Sequence, residues 1–171
     1  MGFIDGTVVS IAIPAIRSTL GASLDQATWI NNAYMVTLSA LILTGGAFGD
    51  RFGLARVFSI GVGLFLLTSL ACALAPTPDA LIAARLAQGA GASLMIPGSL
   101  AMISRAYPRE VRGRAIGMWA AASGLTTAAG PLIGGLILSV FGEDAWRWIF
   151  AINLPLGAIA LFLIRRGVDN D

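Results

Sequence analysis

Histidine and lysine are both absent from this chain, so all eleven basic residues are arginine. Cysteine occurs once, at Cys72. Without His and with a single Cys, neither a Cys/His metal site nor a disulfide framework can be built. Charged residues make up 12% of the chain, against about 25% in a soluble domain. The net charge of +2 and the lack of any dense basic run argue against a nucleic-acid partner. No nucleophile–base pair and no metal cluster stand out, which disfavours an enzyme and implies no cofactor. The apolar stretch after Met1 has neither a basic leader nor a small-residue cleavage site, so a removable signal peptide is not expected.

What is abundant is apolar: 57% of residues are hydrophobic and the mean hydropathy is +0.83. A spanning helix needs about 20 mostly apolar residues. Thr28–Phe48, Val57–Ala75, Ala80–Ile103, Ile116–Val140 and Trp148–Ile164 meet or approach that length. A shorter segment, Gly2–Ile16, precedes them and would span only about 22 Å at 1.5 Å per residue. The hydrocarbon core is about 30 Å thick, so we expect residues before Met1 to be missing. The fold class expected is an all-α membrane protein, a bundle of six transmembrane helices. The connectors Gly49–Arg56 and Ser104–Ala115 and the tail hold Arg51, Arg56, Arg105, Arg109, Arg112, Arg114, Arg165 and Arg166. The other side holds only Arg17 and Arg147. The positive-inside bias then places those connectors and both termini in the cytoplasm, the bilayer being a bacterial inner membrane. Trp29, Trp146 and Trp148 are expected at the outer interface.

Charges at membrane depth are costly and usually functional. Asp5, in the first helix, and Arg85, two turns into the fourth, are the candidates. Gln88 shares a face with Arg85 at i+3 spacing. Burial penalises an ionised carboxylate, which makes Asp5 a candidate proton carrier. Arg85 stays charged and suits the role of fixed partner. The bland alternative is a frayed helix end at Asp5 and an outward-reaching Arg85. Gly45/Gly49 and Gly130/Gly134 have GxxxG spacing, and Gly89, Gly91 and Ser93 add small residues, all compatible with close helix packing. Pro131 falls in the fifth helix, where it removes a backbone donor and bends the chain. Asp50 closes the second helix, at the dipole end that disfavours an anion, so compensation by Arg112, Arg114 or a helix N-terminus is expected.

These residues resemble the major facilitator superfamily, and within it the fourteen-helix drug:proton antiporters. Gly46, Asp50, Arg51 and Gly53 match the loop motif G-x-x-x-D-R-x-G-R-R/K; Leu54 and Ala55 depart from it, with Arg56 following. Leu81 to Gly91, with Arg85, Gln88 and Gly89, is similar to the fourth-helix motif, whose arginine is tied to proton coupling. Gly130, Pro131, Gly134 and Gly135 resemble the fifth-helix antiporter motif, with Thr126 in place of an earlier glycine. Asp5-Gly6-Thr7-Val8-Val9 looks like the first-helix D-x-T signature, and Trp146 to Pro155, with Asn153, like the sixth-helix pattern.

The resemblance implies the N-terminal half of a transporter, made of two inverted three-helix repeats. Asp5, Arg85 and Gln88 would then face a substrate cavity. The function implied is proton-coupled efflux of small amphipathic compounds. The lipid bilayer, protons, a small-molecule substrate and a missing C-terminal half (or a second copy) would be the partners. A metabolite uptake carrier on the same fold and a non-transporting remnant are the alternatives.

Overall fold

The computed structural model describes residues 2–167. Over them the chain is helical: α1 (Gly2–Leu20), α2 (Leu24–Phe52), α3 (Leu54–Ala73), α4 (Pro78–Ala106), α5 (Arg109–Phe141), α6 (Trp146–Ala151) and α7 (Asn153–Gly167). A 3₁₀ turn at Glu143–Ala145 leads into α6, and no strand occurs among the described residues. α2, α3, α4, α5 and the combined Glu143–Ile164 column are long and apolar enough to cross a membrane. α1 is the sixth helix of the bundle; it is not among those five spans, and its first residue, Gly2, faces Ala92 and Ile96 midway along α4.

The helices run further than the hydropathy boundaries, and the connectors shrink accordingly. α1 continues to Leu20, with the Ser18 and Thr19 hydroxyls donating back to Ala15 O (2.9 and 2.8 Å); its 19 residues rise about 28 Å. α2 starts at Leu24 through a capping box, in which Ser23 Oγ accepts from Gln26 N and Gln26 Oε1 accepts from Ser23 N. Such a box satisfies two orphan donors of the first turn. Thr77 Oγ1 caps α4 by accepting from Ala80 N (3.2 Å), and Pro78 occupies the first turn, where its missing N–H costs nothing. Only Tyr107 and Pro108 separate α4 from α5; Tyr107 is held extended by the proline after it.

The expected loop at Gly49–Arg56 is not a loop. Gly46, Asp50 and Arg51 lie in α2, and Arg56 lies in α3. The whole reversal is taken by Gly53 at φ +95°, a conformation that a side chain would strain.

α4 is clasped between α2 and α3 by glycine. A Cβ on Gly45 would overlap Ser93 O, and one on Gly89 would overlap Tyr34 O. On the other flank, Cβ atoms at Gly91 and Gly61 would come within 2.8 Å of Phe65 N and 2.9 Å of Gly91 O. Small residues thus bring the backbones into contact, as membrane helices require when lipid offers no hydrophobic drive to pack. One apolar core, with Val8, Val9, Ile16, Ile30, Leu81 and Phe150, joins α1 to α6. A second, around Leu38, Val62, Phe65 and Met95, fills the space between α2, α3 and α4. Trp146 belongs to the first core: it is buried, with Nε1 donating to Thr19 Oγ1 (2.9 Å). Trp29 and Trp148 are exposed, as interfacial residues would be; Trp146 is not.

Candidate functional site

α4 carries Arg85 and Gln88 one turn apart, so both side chains leave the helix on the same face. That face meets α1 at Asp5, α2 at Ile30 and Tyr34, α3 at Ser69 and Cys72, and α7 at Asn153. Asp5 Oδ2 pairs with Arg85 Nη1. Asp5 Oδ1 accepts from Gln88 Nε2 and from Asn153 Nδ2, each at 3.1 Å. Arg85 also donates from Nε to Ile30 O (3.2 Å) and from Nη1 to Gln88 Oε1 (2.7 Å). Gln88 Nε2 reaches Ser69 Oγ (2.9 Å), and Cys72 Sγ lies 3.7 Å from Gln88 Oε1. The guanidinium carbon stands 4.7 Å from the Tyr34 ring centre and 5.8 Å from that of Phe150. The two π faces offset part of the cost of Arg85 Nη2, which is buried without a hydrogen-bond acceptor.

Asp5, Arg85 and Gln88 are each 0% exposed. Within this chain they are sealed inside the bundle. The bland alternative of a frayed Asp5 and an outward Arg85 fails on the same observation. Charged groups so placed need pairing and hydrogen bonds, and five helices supply partners to all of the cluster but Arg85 Nη2 and Asn153 Oδ1.

Asn153 owes its place to a helix break. Pro155 has no N–H for Ala151 O, and the column is interrupted between α6 and α7 at Ile152. Asn153 opens α7 at that break. Ser69, Tyr34 and Asn153 were not among the site residues expected; for Ser69 and Tyr34 the signal was polarity within apolar segments, and for Asn153 also its place in the sixth-helix pattern.

The first- and fifth-helix motifs interlock. Pro131 cannot donate to Thr127 O four residues back. Thr7 Oγ1 supplies the missing donor at 3.2 Å. Gly134 lets α5 close on α1, for a Cβ there would lie 2.7 Å from Val8 Cγ2. Gly130 is buried on the same side, Pro131 is exposed, and Gly135 has open space beside it. α5 nevertheless stays helical through the proline.

Of the α2–α3 motif, Asp50 pairs with Arg105 at 3.4 Å, not with Arg112 or Arg114. The reason is that α4 extends to Ala106 and carries Arg105 alongside α2, while Arg112 turns back to Tyr107 O (3.3 Å). Both partners of the pair are largely exposed. The contact puts the α2–α3 and α4–α5 turns at one Arg-rich end. Arg166 lies over Phe162, and the Arg165 side chain lies outside the described residues. At the opposite end Gln26 Nε2 donates to Asp79 (2.8 Å), and Arg147 Nη1 donates to Ala73 O and Ala75 O (2.7 and 2.9 Å). An open groove of about 310 Å³ between α1 and α2 is lined by Ser10, Arg17, Thr28, Asn31 and Asn32, among others. It is separate from the sealed cluster.

The sequence pattern of the Major Facilitator Superfamily matches residues 1–170. The chain belongs to that superfamily. It is a multi-pass membrane protein of a transporter family, not an enzyme. It is 43% identical over 167 residues to the Methylenomycin A resistance protein of Streptomyces coelicolor, a match covering 97% of this chain and 34% of that protein. It is 37% identical to the riboflavin transporter RibZ of Clostridioides difficile, over 95% of this chain and 35% of RibZ. The inward-open xylose transporter XylE from E. coli has the same fold (TM-score 0.77 at 16% identity), covering 99% of this chain and 46% of XylE. The chain therefore spans about a third of the length of those curated relatives, in their N-terminal part.

Proposed function

We propose that this chain forms the N-terminal six-helix half of a proton-coupled exporter of small amphipathic molecules. In this reading the Arg-rich end and both termini face the cytoplasm of a bacterial cell, and a second six-helix bundle completes the substrate pathway. One observation carries it: Asp5, a carboxylate at membrane depth, is fully enclosed yet held by Arg85, Gln88 and Asn153. Intramembrane ionisable residues of this kind mark proton relays. Asp5 takes up and releases the proton. Arg85 supplies the fixed charge that decides how readily it does so, and Gln88 orients both. Substrate does not need to touch Asp5, because protonation alters the bonds that tie α1 to α4 and α7. The groove along α1 and α2, with Ser10, Asn31 and Asn32, gives a substrate polar side chains to meet. The α1–α5 contact at Gly130, Pro131 and Gly134 is where the bundle would bend or slide during transport.

The test is dye efflux driven by a pH gradient in vesicles holding the full-length protein. Asp5→Asn should abolish it, and undiminished efflux would remove the proton role. The riboflavin transporter among the relatives favours a second reading, a metabolite carrier. The direction of transport in those vesicles separates the two.

A further inference from the structure

Asn153 lies against Asp5 with half of its amide unused. Nδ2 donates to Asp5 Oδ1 at 3.1 Å and reaches Ser69 Oγ at 3.5 Å, while Oδ1 is buried and accepts nothing. A buried carbonyl oxygen without a donor is costly and calls for an explanation. The ionised carboxylate gives none, since a carboxylate has no proton to offer. The protonated carboxyl does.

We infer that Asn153 is a positioning residue that reverses its amide when Asp5 takes a proton, donating to the carboxylate in one state and accepting from the acid in the other. The inference rests on the proton-carrying role of Asp5 proposed above. The proton adds to Oδ1, because Oδ2 faces the Arg85 guanidinium, which cannot accept. The new O–H then needs an acceptor where Asn153 Nδ2 now stands. Rotation of the amide by half a turn brings Asn153 Oδ1 there and carries Nδ2 to the position that Oδ1 leaves, so the amide keeps one unpartnered end in either state and the proton on Asp5 decides which. Ser69 serves both orientations, because a hydroxyl accepts or donates as its hydrogen turns.

Gln88 cannot make the same move. Its Oε1 accepts from Arg85 Nη1 at 2.7 Å, and reversal would set an N–H against a cation that only donates. Arg85 therefore locks one amide and leaves the other free. The charged and titratable side chains around the pair are Tyr34 from α2, Cys72 from α3 and Arg85 from α4. The charged residues of α5 all lie between 109 and 114 at the Arg-rich end, and α7 carries no charge before 165. Of the two amides on Asp5 Oδ1 only Asn153 is placed to follow the proton, with the Ser69 hydroxyl turning alongside it, so the reversal passes the state of Asp5 from α1 to α7 at the helix break.

The experiment is pH-difference infrared spectroscopy of the purified full-length protein in lipid. Acidification should produce a carboxylic-acid C=O band that Asp5→Asn removes. In Asn153→Leu, which keeps the shape without polar atoms, the band should move to higher frequency, because the acid has lost its acceptor. Asn153→Ala should move it the same way, and covers the case in which the leucine variant does not fold. A role in packing alone would lower the stability of both variants and leave the band in place, and that result overturns the inference. If no Asp5-dependent band forms at all, the proton reading of Asp5 fails and this inference with it. A band that forms but does not move sinks the amide reversal alone.

Discussion

Removing both members of the Asp5–Arg85 pair should cost less than the sum of removing each alone. Each side chain is 0% exposed, so whichever charge remains is left in a low-dielectric interior. Breaking a buried pair from one side costs about 3–5 kcal/mol, whereas replacing the whole pair by neutral groups of similar size is often near neutral. The two single variants should differ. Arg85→Met leaves a carboxylate with only the Gln88 and Asn153 amides, and it also removes the bonds to Ile30 O and Gln88 Oε1. Its cost belongs near the top of that range. Asp5→Asn is isosteric and leaves Arg85 with Ile30 O, Gln88 Oε1 and two aromatic faces, so a loss of about 1–3 kcal/mol is expected. The double variant Asp5→Asn/Arg85→Met should recover at least about 1 kcal/mol relative to the sum of the singles. The assay is reversible unfolding of the full-length protein by titration with denaturing detergent, read as a double-mutant cycle. Strict additivity would show that the two charges do not stabilise one another, and the description of the cluster as a coupled pair would be wrong.

Two further substitutions test the packing. Gly89→Ala drives a methyl into Tyr34 O and Thr37 Cβ and should destabilise by about 1–3 kcal/mol; Gly63→Ala, with nothing within 4 Å, should be neutral or slightly stabilising in the same titration. Thr7→Val uncaps the carbonyl that Pro131 leaves without a helix donor and should cost about 1–3 kcal/mol. Thr7→Ser keeps the hydroxyl and should lose far less; equal losses would mean that the α1–α5 hydrogen bond contributes nothing.

The sequence alone determined the membrane class, the six-helix bundle and the pairing candidates, because lipid imposes a simple rule. Every spanning segment must be apolar for about 20 residues, and a charge inside one is conspicuous. Asp5, Arg85 and Gln88 were legible for that reason, as were the glycine-rich faces. Helix ends were less legible. Ser18, Thr19, Asp50, Arg51 and Arg105 are polar yet helical, and hydropathy cannot tell a polar last turn from a loop. The Arg105 partner of Asp50 was missed through that same boundary error. Trp146 was misplaced because an aromatic belt residue and a core tryptophan with a hydroxyl acceptor read alike in one dimension. Only the tertiary structure decided that Asp5 and Arg85, eighty residues apart, share one sealed pocket, and that Ser69 and Asn153 complete it. Such contacts depend on how five helices rotate about their axes. That rotation is set where Gly45, Gly61, Gly89 and Gly91 let backbones touch, a packing fact that no local pattern of residues carries.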